Sequence, residues 1–152
     1  MKRLVQHYRW GINKKGLFVV LLILPPNVLW ALWPPALNPL GVGAASYALW
    51  EGLENIFRVF SIISSCLLIR LDRFSGEYHA WPLLIGLFLL GYYVLWVLYY
   101  LGNTASILLL GLAVLPVGAF LSTALWQKNK VAFFFVLAFG ILHIALLCIK
   151  HL

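Results

Sequence analysis

The chain is made of five long apolar runs with very little between them. They cover residues 16–33, 42–69, 81–101, 104–126 and 131–149. A helix crosses a bilayer core with roughly 20 consecutive apolar residues, and each run is of that order. In hydrocarbon a segment must satisfy its own backbone groups, so uninterrupted runs imply helices. Barrel strands would read as short alternating segments instead. The sequence therefore predicts an all-α fold, a transmembrane bundle of five helices. Composition agrees, with 64% hydrophobic and 10% charged residues, where a soluble domain is about a quarter charged. Disorder is excluded on the same ground, because disordered chains are poor in aromatics and rich in charge.

The connections leave no room for a soluble domain. They are PPALNPLG at 34–41, a charged stretch at 70–80 holding Arg70, Asp72, Arg73 and Glu77, the pair Gly102-Asn103, and residues 127–130. Asn103 or Thr104 suits the N-cap of the fourth span. Residues 1–15 read as a basic juxtamembrane segment and 16–152 as one transmembrane domain. Leu4, Val5, Tyr8 and Ile12 have helical spacing, which would let the first segment lie along the inner leaflet; a charged topology anchor is the simpler reading. Trp33-Pro34-Pro35 stands where a small-residue cleavage site would be needed, so a secretory signal is not expected.

The net charge is +7. A nucleic-acid partner is not expected, because the basic residues flank the apolar runs, as orientation signals and contacts to anionic lipid do. Lys2, Arg3, Arg9, Lys14, Lys15, Arg70, Arg73, Lys128 and Lys130 fall on one side of the predicted membrane and Lys150 alone on the other. Positively charged loops stay in the cytoplasm. The expected topology is N-terminus cytoplasmic and C-terminus outside, in a multi-pass protein of the cell membrane. Trp10, Trp81 and Trp126 then mark the inner interface, with Trp30, Trp33, Tyr99 and Tyr100 at the outer one. Cys66 and Cys148 fall near opposite ends of their spans and are not expected to pair.

The second span carries the unusual chemistry. Glu51, Glu54, Asn55 and Arg58 recur at i, i+3, i+4 and i+7, one face of a helix, and Ser61 and Ser65 continue it. A mid-bilayer charge costs about 2.5–3.5 kcal/mol on insertion scales, so this face must turn into the bundle. Glu54 and Arg58 form an i,i+4 pair in the favourable order. Glu51 has no local partner. Asn27 follows Pro25-Pro26, and proline leaves a carbonyl without its helical donor; Tyr92 or Tyr93 has a hydroxyl to offer. His143 is the one histidine in the middle of a span. The expectation is an intramembrane polar pocket of Asn27, Glu51, Glu54, Asn55, Arg58 and His143. Its alternative is an ion pair that holds the helices in register. No metal and no cofactor is expected, because no ligand spacing for zinc and no pair of axial haem ligands is evident.

The stretches LPPNVLW, EGLENIFRVF, LAVLPVGAF and FGILHIAL resemble an uncharacterised family of small multi-pass bacterial membrane proteins, mainly from Gram-positive bacteria. Its pattern is Pro-Asn in the first span, Glu then Arg in the second, an apolar-Pro pair in the fourth and His in the last. The chain departs from it at PPALNPLG, where such proteins carry a basic loop. The resemblance implies no activity; it implies that Asn27, Glu54, Arg58 and His143 belong together.

Three functions compete at this stage. A polar face beside a proline-broken helix suits a small transporter, channel or permease component acting on an unidentified small ligand or ion. The lack of an extramembrane domain suits a non-enzymatic accessory or assembly subunit, with a homo-oligomer or a membrane partner expected. An intramembrane enzyme on a lipidic substrate, with Glu51 or Glu54 and His143 as acid and base, ranks last, and no catalytic residue is assigned.

Overall fold

The computed structural model describes residues 8–41, 47–71 and 80–151. Five helices form in this part: α1 (Lys14–Leu32), α2 (Ala48–Leu67), α3 (Ala80–Tyr100), α4 (Ser106–Trp126) and α5 (Lys130–His151). Four of them, α1, α3, α4 and α5, are long and apolar enough to cross a membrane. α2 falls short of the same measure of hydropathy and charge, because it carries Glu51, Glu54 and Arg58. Residues 42–46, the expected start of the second span, lie outside the described residues, as do Lys2, Arg3, Leu4, Val5, Asp72, Arg73 and Glu77.

α2, α5, α4 and α3 pack side by side in that order, and α1 lies against α2, α4 and α3. Small residues permit the close approaches. A Cβ on Gly118 would sit 2.8 Å from the Phe88 ring, and one on Gly91 3.1 Å from Leu115. This is how apolar helices associate where burial from water supplies little driving force. The core includes Val19, Ile23, Leu89, Tyr92, Trp96, Leu112 and Val136.

Two features correct the sequence reading. First, the described part of residues 1–15 is not an interfacial helix. Tyr8–Trp10 forms a strand, β1, paired antiparallel with β2 (Leu68–Arg70), with Arg9 opposite Ile69. The end of the expected second span is therefore extended chain, because its backbone groups pair with the N-terminal segment instead of continuing the helix. Secondly, Tyr99 is not in an outer aromatic belt. It is 0% exposed, and its hydroxyl donates to Asn38 Oδ1 at 2.8 Å. Trp30 Nε1 donates to the same oxygen at 2.9 Å. The PPALNPLG turn, with its short 3-10 segment Pro39–Gly41, folds back over α1 and α3 to supply it.

Before α4 the chain also departs slightly from expectation. Ala105 occupies the N-cap, and Asn103 Oδ1 accepts from the Ala105 N–H at 3.0 Å one step earlier. Cys66 and Cys148 are both free thiols.

Candidate functional site

α2 touches its neighbours through two polar clusters of different kinds. The first is a charged seam between α2 and α5. The two helices run antiparallel, so the first turn of α2 meets the last turn of α5. There Lys150 Nζ donates to Glu51. One turn further along, Glu54 Oε1 accepts from Arg58 and lies 3.0 Å from His143 Nδ1. With Glu54 ionised, that contact requires the ring proton on Nδ1. His143 stacks on Phe139, with centroids 5.1 Å apart and planes 21° apart. The Arg58 guanidinium lies 5.4 Å from the same Phe139 ring, within cation–π range. Below them Phe57 and Phe60 pack on Phe135.

Both described carboxylates thus sit on one seam, each with a cation. Glu51, Glu54, Arg58 and Lys150 sum to zero charge when His143 is neutral. Glu54 is buried, whereas the Arg58 side chain is 44% exposed. A carboxylate that orients an imidazole is an arrangement used for proton transfer and for supporting ligands. Among the described residues no Ser, Thr or Cys side chain hydrogen-bonds His143, so no nucleophile accompanies the pair.

The second cluster is neutral and was not foreseen. The last four carbonyls of a helix lack intrahelical donors. In α2 these are Ser64, Ser65, Cys66 and Leu67, and each finds a donor elsewhere in the chain. Asn129 Nδ2 donates to Ser64 O at 2.9 Å and Gln127 Nε2 to Ser65 O at 3.1 Å. The backbone N–H groups of Asn13 and Gly11 donate to Cys66 O at 2.7 Å and Leu67 O at 3.0 Å. Asn129 works twice, since its Oδ1 also accepts from the Ala132 N–H at 3.0 Å and so caps the start of α5. Gly16 brings α1 against this end; a Cβ there would collide with the Ser65 carbonyl. Arg70 Nη1 donates to Lys128 O at 2.9 Å, and the Tyr8 hydroxyl accepts from the Lys130 N–H at 3.1 Å. A Gln and an Asn in a four-residue connection give no sequence signal of this role.

Of the residues expected to share one pocket, Glu54, Arg58 and His143 meet, and Glu51 lies one turn away with its own partner, Lys150. Asn27 and Asn55 do not join them. Asn27 Nδ2 donates to Tyr92 Oη at 2.7 Å and to Ile23 O at 2.8 Å, so its contact is between α1 and α3. Tyr93 donates to Leu22 O at 2.7 Å. That carbonyl lacks its helical donor because Pro26 has no N–H. The double proline is thus accommodated by a tyrosine of α3, and α1 continues through it. Asn55 is rotated by about 100° from Glu54 around the helix, and with Glu54 facing α5 it points outward and is exposed.

Four long apolar helices fit a multi-pass membrane protein. The chain matches no protein-family model, no curated protein and no solved structure.

Proposed function

We propose that the chain is a five-span protein of the cell membrane, N-terminus cytoplasmic and C-terminus outside, that acts as a non-enzymatic accessory or assembly subunit. The observation that carries this reading is the closure of the α2–α5 seam. Every charge on it has a partner within the bundle, and Glu51 and Glu54 are balanced by Lys150 and Arg58. An unpaired charge in a span is costly and marks a pathway or ligand site; a paired set instead lowers the cost of placing α2 among four apolar helices. The same pairing supports the orientation. Lys150, the one basic residue on the proposed outer side, is tied to Glu51, so it weighs little against the basic residues at the other face.

Purified chain in proteoliposomes tests it. The expected result is no solute or ion flux above empty vesicles, with Glu54→Gln changing the thermal midpoint and not the leak. A flux that Glu51→Gln or Glu54→Gln abolishes would overturn the reading in favour of a transporter or channel component. The observation on that side is the partial exposure of Arg58 and His143, through which the seam reaches the surface of the bundle.

A further inference from the structure

The outward face of α2 is left polar at one point. Gly52, Asn55, Ile56 and Val59 follow one another at spacings of three, one and three residues, and all are exposed. Ile56 and Val59 are each 52% exposed. Nothing lies within 4 Å of the position a Cβ on Gly52 would take. Asn55 makes no hydrogen bond with the described residues, whereas the charged groups beside it are all answered. α2 packs chiefly on α5 and α1, so its opposite face stands at the edge of the bundle.

If α2 spans the bilayer, this face presents an unsatisfied amide to hydrocarbon. An amide carries both donors and acceptors, and in lipid each unmet polar group is costly. We propose that this face of α2 docks on the same face of a second copy of the chain. The two copies are related by a twofold axis along the membrane normal. Copies inserted in one orientation bring their α2 helices together in parallel, with equal residues at equal depth. Asn55 of each then donates to and accepts from the other, so the pair needs no third group. Gly52 lets the backbones approach one turn away, as small residues do at membrane interfaces. Ile56 and Val59 supply the apolar contact. Gly52, Asn55 and Val59 are spaced three and four residues apart, the spacing of a left-handed helix pair, in which one polar residue sets register and oligomer state. Arg58 flanks the seam with Glu54 as its partner and brings no uncompensated charge. A closed twofold interface is also the commonest oligomer symmetry.

This inference rests on the proposal that α2 is transmembrane, and the experiment separates the two. The full chain carrying Cys66→Ala and Cys148→Ser is reconstituted in liposomes. Ile56→Cys in that chain is expected to form a disulfide-linked dimer on oxidation with copper phenanthroline. Val97→Cys, on the exposed face of α3, is expected to stay monomeric. Adding Asn55→Leu should lower the dimer association constant by about tenfold, the scale of a polar interhelical contact in model peptides, while Asn55→Gln should retain most of it. Single-molecule photobleaching of labelled chain gives the stoichiometry without any cross-link. Asn55→Cys inaccessible to a membrane-impermeant maleimide, in a chain that is monomeric and does not cross-link at position 56, would overturn the dimer and leave the span standing. Ready labelling of Asn55→Cys from either side would overturn the span, and the dimer with it.

Discussion

α2 is held at two places by opposite means. Along its first half, charged side chains pair with one another across the α2–α5 seam. At its last turn, neutral amides and backbone N–H groups donate to the carbonyls that the helix cannot satisfy itself. The seam joins flexible side chains whose charges cancel, and either partner has some freedom to re-pair or to reach the surface. The capped end has four fixed carbonyls, two with donors from residues 127–129 and two with donors from residues 11–13, and no such freedom. The difference teaches that the conspicuous charged residues of a helix packed among apolar ones need not be those that hold it most firmly.

Substitutions at the two sites sharpen that contrast. The largest effect is expected at the capped end. Asn129→Ala orphans Ser64 O and the Ala132 N–H, each worth about 1–3 kcal/mol when buried and unmet, so the loss should be about 2–6 kcal/mol by unfolding in mixed micelles. Asn129→Asp keeps the acceptor for Ala132 and removes the donor to Ser64, and should fall between the unsubstituted chain and Asn129→Ala. If Asn129→Ala costs less than any seam variant, the comparison is reversed.

A smaller loss is expected at the seam. Glu54→Ala leaves Arg58 and His143 without their common acceptor. Breaking a buried pair costs about 3–5 kcal/mol, but solvent screening at the half-exposed Arg58 discounts this to about 1–3 kcal/mol. Glu54→Gln still offers an acceptor to both partners and should lose less, measured by the same unfolding curves. Equal losses for alanine and glutamine would mean that charge, and not hydrogen bonding, holds the seam.

The smallest effect belongs to the double proline. Tyr93→Phe removes the hydroxyl from Leu22 O and should cost about 0.6 kcal/mol, the average for an interhelical hydrogen bond in a membrane protein. A much larger loss would show that α1 depends on α3 at this point as strongly as α2 depends on its cap.

Much of the fold was legible because hydrocarbon leaves few options. The runs at 81–101, 104–126 and 131–149 became helices within two residues of the expected ends, since a long apolar run has only its own backbone to bond with. The grouping of Glu54 and Arg58 was legible for a local reason: they are one turn apart on one helix. His143, a polar residue in mid-span, was expected beside Glu54, but which of its neighbours it would touch had to come from packing. Lys150 was read as a terminal charge, and nothing local could tie it to Glu51 across 99 positions. Asn27 misled because the proline beside it suggested a shared pocket, while the neighbour that α1 offers it is Tyr92.

The sequence by itself determined that most of this chain is apolar helix, that basic residues flank the apolar runs, and that α2 is the helix whose charges demand an answer. Those are consequences of residue type and local spacing, which transfer energies and helical periodicity decide without reference to the rest of the chain. The tertiary structure decided who answers. It placed α5 against Glu51 and Glu54, drew the N-terminal segment into a ribbon over the end of α2, set Gln127 and Asn129 on its last carbonyls, and left Asn55 facing outward. A hydrogen bond acts only over contact distance, so which donor meets which carbonyl depends on how helices distant in sequence pack.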